Sequence, residues 1–299
     1  MLTAIVLTLT STTDATLPAH LGRANYAATL ETLQSLDPAL GPALHDGEGP
    51  KPLTCSGLLD GHGYRTSVRV RAGKEYAVRI TGLTPLVSQA LEVALLQRQP
   101  ADWVLADHPF AVVNVCCDAT QDPRSGHTTY ETLAAMQLLQ DHGPARKVSL
   151  RFQSPTSFQS KGMHIPIPLP NLVFGSLVDR WNSFSPITLS PEVRRFGEEM
   201  VALSHYRLES DVVVQKNGTP IIGSVGRATY TALGGDRYWL ATMQMLADFA
   251  FYSGVGVKTT AGMGQVCRSD LVGHKRAGRQ GESVYDQALG QRHGASAAG

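Results

Sequence analysis

The stretch Asp236–Cys267 reads DRYWLATMQMLADFAFYSGVGVKTTAGMGQVC. Over Asp236–Tyr252 apolar residues recur at helical spacing, which predicts a helix. Gly254, Gly256, Gly262 and Gly264 then surround Lys258, Thr259 and Thr260 in a glycine-rich loop, and Gly264–Cys267 begins a last strand. The order is helix, loop, strand, whereas the dinucleotide fingerprint and the P-loop both require strand, loop, helix. The fingerprint also fails because Thr259 stands where its third glycine belongs. The P-loop fails because no Gly-Lys-Ser/Thr follows a suitably spaced glycine. What remains is a loop whose backbone N–H groups and one lysine can approach a phosphate chain. The bland alternative is a flexible connector.

Upstream of this segment the elements fall into a repeated order. Lys147–Phe152 (KVSLRF) reads as a strand and Asn171–Phe184 as a helix, with Pro168 and Pro170 ahead of it and Pro186 behind. Asp211–Gln215 and Ser224–Leu233 read as strands. The first half follows the same course. Leu2–Thr10 (LTAIVLTLT) is a strand, and a helical stretch runs from Pro18 to about Leu36. Thr66–Val70 and Tyr76–Ile80 alternate like a hairpin, Leu83–Gln97 is a helix, and Ala111–Cys117 is a strand. Each half reads β-α-β-β-α-β, the ferredoxin-like order. The fold class is α+β, two tandem ferredoxin-like (RRM-like) domains. Their expected bounds are 1–145 and 146–268, followed by a polar Gly/Ala-rich tail over 269–299 that is mobile unless a partner orders it.

Composition agrees with this. The chain has 299 residues, 42% of them hydrophobic, 17% charged and 7% aromatic, as expected of one or two globular domains. No apolar run reaches the roughly 18–20 residues that cross a bilayer, and Leu2–Leu9 lacks the flanks of a signal peptide. Cys55, Cys116, Cys117 and Cys267 have no Cys-x-x-Cys spacing, so they read as reduced thiols of a cytoplasmic protein, and no metal site or cofactor is expected. Residues 1–145 carry 9 Lys+Arg against 14 Asp+Glu, a net −5. Residues 146–299 carry 17 against 11, a net +6. A basic second half points to a polyanion, with ordinary surface composition as the alternative.

Three further places could carry chemistry. His45 and Lys51 lie six residues apart on the turn-rich loop HDGEGPKP. A histidine transfers protons near neutral pH, and a lysine stabilises charge on a phosphorane. Ser154, in the SPTS segment after the strand bearing Arg151, could aim a hydroxyl at a phosphate or simply form a turn. Phe174, Trp181 and Phe184 share a helical face and read as core. No RNP-type aromatic strand is present, which argues against bases stacked on an open sheet. The remaining histidines lack triad or metal spacing, and no carboxylate pair suggests a two-metal nuclease.

Three segments resemble the CRISPR-associated endoribonucleases that cut repeat RNA into guide units, the sixth Cas family. They are LHDGEGPKPLTCSGL (Leu44–Leu58), RFQSPTSF with PLPNLVFGSLVDRWNSF (within Arg151–Phe184), and FYSGVGVKTTAGMGQV (Phe251–Val266). The last is similar to the family's C-terminal glycine-rich signature. The resemblance implies two ferredoxin-like domains, a repeat RNA bound across the central cleft, and cleavage without metal or cofactor. Other CRISPR effector subunits are further partners it suggests. By position, His45 and Lys51 match the catalytic pair. Tyr26 stands on the first helix where many relatives have His, whereas some relatives place a Tyr where this chain has Leu30. Gly254, Gly256, Lys258, Thr259, Gly262, Gly264, Ser154 and Arg151 become the RNA-binding candidates. Two alternatives remain: a catalytically weak relative that only retains the repeat RNA, and a nucleotide-binding metabolic enzyme using the glycine-rich loop.

Overall fold

In the computed structural model, residues 1–41, 44, 49–60, 62–63, 66–215 and 217–269 are described. The first half contains β1 (Leu2–Thr10), α1 (Gly22–Leu36), β2 (Leu53–Cys55) and β3 (Glu75–Gly82). It continues with α2 (Pro85–Leu91, prolonged by a π-helical turn to Gln97) and β4 (His108–Cys116). The strands lie in the order β2-β3-β1-β4, all antiparallel. A bridging helix, α3 (Tyr130–Leu138), leads into the second half. There β5 (Lys147–Thr156), α4 (Pro170–Phe184), α5 (Glu192–Glu199), β6 (Val201–Val214), β7 (Pro220–Ala232), α6 (Arg237–Ser253) and β8 (Val266–Arg268) follow. Their sheet order, β6-β7-β5-β8, repeats that of the first half. Both halves are ferredoxin-like.

Local chemistry sets the element ends. Thr84 caps α2, its hydroxyl accepting from the Val87 N–H, with Pro85 at the first helical position. Asp236 caps α6 through the N–H groups of Tyr238 and Trp239, and Gly254 ends it at φ +61°. Helix α1 stops at Asp37 because the residue before Pro38 avoids the α region.

Helix α6 is buried along most of its length, including Leu240, Met243, Leu246 and Phe249. A helix apolar all round must lie inside. One side packs with Trp181 of α4 and the β5 and β7 residues Leu150 and Tyr230. The same core takes in Leu2, Leu83 and Tyr130 of the first half. The expected aromatic core is present in Phe174 and Trp181, both buried.

Several elements differ from the sequence reading. Ser67–Val70 pairs with Ala15–Pro18 rather than with the strand after it. The second strand of the first unit is instead the three-residue β2, too short to show a period. Pro18 therefore ends a strand, and α1 begins at Gly22. Strand β6 starts ten residues earlier than expected, and α3, α5 and the hairpin Phe158–Ser160/Met163–Ile165 are additions to the sequence reading; α3 lacks a clear apolar face, whereas the short α5 buries Val193 and Phe196 on one side. No helix among the described residues is long and apolar enough to cross a membrane.

Candidate functional site

The glycine-rich segment is where the two halves meet. A 3₁₀ turn, Thr259–Ala261, sits against the start of α1 and the chain after β2. A Cβ on Gly22 would fall inside the backbone of Gly262, and one on Gly262 would lie 2.8 Å from Gly22 Cα and 3.1 Å from Gly57 N. Ser56 bridges to Gly262 as a parallel β-partner. Gly254, Gly256, Gly262 and Gly264 all have φ between +61° and +90°, a region that glycine occupies without penalty.

Most N–H groups of this segment are already satisfied. Val255 N donates to Gly264 O (2.9 Å), Val257 N to Ser157 O (2.9 Å) and Gly264 N to Pro155 O (3.1 Å). Gly256 N donates to Ser176 Oγ (2.9 Å), and its carbonyl accepts from Arg180 Nη2 (2.9 Å). Ser154 Oγ accepts from Gln265 N (2.9 Å), so its hydroxyl orders this segment. A Cβ on Gly256 or Gly264 would collide with the carbonyls of Ser157 or Val255, respectively. The glycines therefore serve backbone-to-backbone packing, which leaves no nucleotide cradle at them. Thr259 is buried, and Lys258 presents the exposed side of the loop, in the left-handed region at φ +56°.

On the first-half side, Asn25 organises the helix start. Its Nδ2 donates to Ser56 O (3.0 Å), while its Oδ1 accepts from Trp103 Nε1 (3.0 Å). One residue on, half-buried Tyr26 donates its hydroxyl to Leu44 O at 3.4 Å. Burial, and to a lesser degree Cys55, pushes the phenol above its ordinary pKa, so at neutral pH Tyr26 is a neutral donor. Burial raises the Cys55 thiol to about 12, which makes it inert. Lys51 is half-buried at the entrance to β2. His45, adjacent to the carbonyl that Tyr26 reaches, lies outside the described residues. Leu53–Gly57 and Thr259–Gly262 are thus brought together against the start of α1, one helical turn from Tyr26. Arg151 lies apart from them, on the open face of the second sheet.

The sequence reading missed Arg79. This buried side chain donates from Nε to Arg124 O (2.7 Å), from Nη1 to Gln265 Oε1 (3.1 Å) and from Nη2 to Phe251 O (2.6 Å), and it lies 4.2 Å from the Phe251 ring centre. Thr81 Oγ1 donates to Tyr252 O (2.8 Å) beside it. Burial pulls the guanidinium down to about 10, opposed by Tyr252, Cys267 and Asp122. A lone basic residue inside an alternating strand gives no sign of such a contact 186 residues away. Among the described residues no group of His, Cys, Asp and Glu converges as a metal site would.

Two ferredoxin-like units clasped along a glycine-rich segment define the class: a tandem ferredoxin-like protein. A family model described as CRISPR-associated endoribonuclease Cas6 matches residues 150–266. A CRISPR-associated endoribonuclease Cas6 from Streptococcus thermophilus is 30% identical over 123 residues, which is 40% of this chain and 49% of that protein. The match thus spans about half the length of that relative. A solved Cas6 product complex superposes with a TM-score of 0.75 at 27% identity, over 90% of this chain and 100% of the other. A Cas6 substrate mimic complex gives 0.68 at 27%, over 90% and 99%. The second half of the chain thus resembles Cas6 proteins in sequence, and nine-tenths of the chain shares their fold.

Proposed function

We propose that this chain is an endoribonuclease that cuts CRISPR repeat RNA to release guide units, without a metal ion. The carrying observation is the junction, where the glycine-rich segment holds the start of α1 and the chain after β2 together. Tyr26 and Lys51 flank the stretch that contains His45. RNA cleavage of this kind needs three things: an activated 2′-OH, stabilised phosphorane charge and a protonated leaving oxygen. The 2′-oxygen forms a bond to phosphorus as its proton passes to a general base. The bond from phosphorus to the 5′-oxygen breaks as that oxygen takes a proton from a general acid. The products are a 2′,3′-cyclic phosphate and a 5′-OH.

In this reading His45 transfers protons, worth about 10²–10⁴-fold, and Lys51 stabilises the developing negative charge. Tyr26 donates a hydrogen bond to a phosphate oxygen or orients the 2′-OH. Lys258, on the exposed side of the loop, contacts RNA backbone. Residues 1–145 and 146–268 are the two domains, the protein works in the cytoplasm, and other effector subunits are its further partners. The test is cleavage of the host's repeat RNA in excess EDTA. Cutting should persist and leave a 2′,3′-cyclic end, and a 2′-deoxy substitution at the cut position should abolish it. Full activity on the deoxy substrate overturns the mechanism.

A further inference from the structure

The helices α4 and α6 cover one face of the second sheet, where Val148, Leu150, Phe152, Ala228 and Tyr230 are buried. The alternate residues point to the other face, which is open. Across it the register aligns Arg207 with Arg227 and Arg227 with Arg151. Three arginines from three neighbouring strands therefore stand side by side. Ser149 and Thr229 form the next row, their hydroxyls 2.7 Å apart, which confirms the shared face.

This row costs stability. Like charges directly opposite on a sheet repel, and Arg207 and Arg227 are exposed and Arg151 half-buried. None of the three makes an ion pair with a described carboxylate. Gly226, at φ +129°, lets the backbone of β7 close on the Arg207 carbonyl, so the row is drawn tight at this point. A sequence that breaks a local rule without compensation tends to mark a binding surface. On the same face His205 stands opposite Thr229, in the row next to the arginines, and Glu209 follows two residues after Arg207, opposite Val225. Guanidinium forks match phosphate oxygens in bidentate fashion. In register, Cys267 of β8 stands opposite Arg151 and extends the row to the fourth strand.

We propose that Arg151, Arg227 and Arg207 form a phosphate track that holds the RNA backbone as it crosses the second sheet, without reading sequence. The proposal rests on the repeat-RNA reading above and adds a second place of contact. Binding of the host repeat RNA is measured across a salt series for the wild type, Arg227→Gln, and the triple variant Arg151→Gln/Arg207→Gln/Arg227→Gln. The slope of log affinity against log salt should fall by about 0.7–0.9 for the single variant and about 2–3 for the triple. The triple variant should bind at least about tenfold more weakly. The triple Arg→Lys variant should restore the slope. Removing the repulsion leaves the melting temperature unchanged or raised, and if the triple variant does not fold, Arg227→Gln carries the test. Unchanged slopes in variants, with wild-type protein binding repeat RNA, overturn the track alone. A wild type that binds no repeat RNA overturns the track and the proposed function together.

Discussion

Gly22 and Gly262 meet backbone to backbone, so that neither has room for a side chain. The first turn of α1 is thereby set by a residue in the last tenth of the described chain. The relationship ties the position of Tyr26, one helical turn on, to the fold of the second half.

Gly22→Ala should therefore lower the melting temperature, because overpacking against backbone cannot be relieved by a rotamer change and costs about 1–3 kcal/mol. Gly57→Ala is the control, since its added Cβ would find neighbours only at 3.8 Å. Equal stability of the two variants in a thermal melt would contradict this packing argument.

Arg79→Met removes the donors that serve Arg124 O, Gln265 Oε1 and Phe251 O. Buried acceptors left unpaired cost about 1–3 kcal/mol each, less what relaxation recovers, so a loss of about 3–5 kcal/mol is expected. Arg79→Lys should rescue little, because one ammonium cannot reach three acceptors spread around a planar fork. Chemical denaturation of the three proteins measures both effects.

The fold was legible where capping and periodicity coincide, as at Asp236–Gly254, and in the repeated element order. It was obscured where an element is short or sequence-distant in its partners. Leu53–Cys55 has three residues, all buried, and Ser67–Val70 pairs backwards across the chain to Ala15–Pro18. At the site, the glycines announced close backbone approach. What approaches them is protein, because a glycine pattern records a missing Cβ and not the identity of the neighbour. Arg227 and Arg207 were invisible as a pair, since only register places them opposite Arg151.

Alkaline stability follows from the buried thiols and phenols. The Cys55 thiol is raised from an ordinary value of 9.0 to about 12. Its neutral form is shared by folded and unfolded chains below about pH 9, so its contribution is fully present there. As pH rises toward 12 the unfolded chain ionises first and stability falls. Tyr26 and Cys267 are shifted in the same direction, each chiefly by burial. Unfolding free energy should decline over this window, and Cys55→Ala should flatten part of the decline. A pH-independent difference between the two proteins would remove Cys55 from the account.

Lys258 is exposed at a left-handed backbone position, held by Ala261 N donating to its carbonyl at 2.9 Å. Lys258→Ala keeps that turn and removes one charge. Repeat-RNA affinity should fall, with the salt slope reduced by about 0.7–0.9, while cleavage at saturating RNA stays near wild type. Gly256→Val should instead lower the melting temperature, because its branch would collide with the Ser157 carbonyl. A binding loss for Gly256→Val without a stability loss would assign that glycine to RNA contact after all.

The last prediction separates the residues of the proposed reaction. His45→Ala should slow cleavage by at least about 10²-fold, the contribution of a general acid or base, with affinity little changed. Lys51→Ala should also slow cleavage by removing charge stabilisation. Tyr26→Phe deletes only the hydroxyl that reaches Leu44 O at 3.4 Å. That bond is long, so its loss costs little stability, and the effect should fall on chemistry: about tenfold in rate, or about 1.4 kcal/mol of barrier. The ring of Tyr26 also packs against the first core, so Tyr26→Ala should lower the melting temperature as well. The competing outcome is Tyr26→Phe silent in cleavage while Tyr26→Ala still destabilises. In that case the phenol is a packing group that positions the chain at Leu44, and His45 with Lys51 must perform the reaction as a pair.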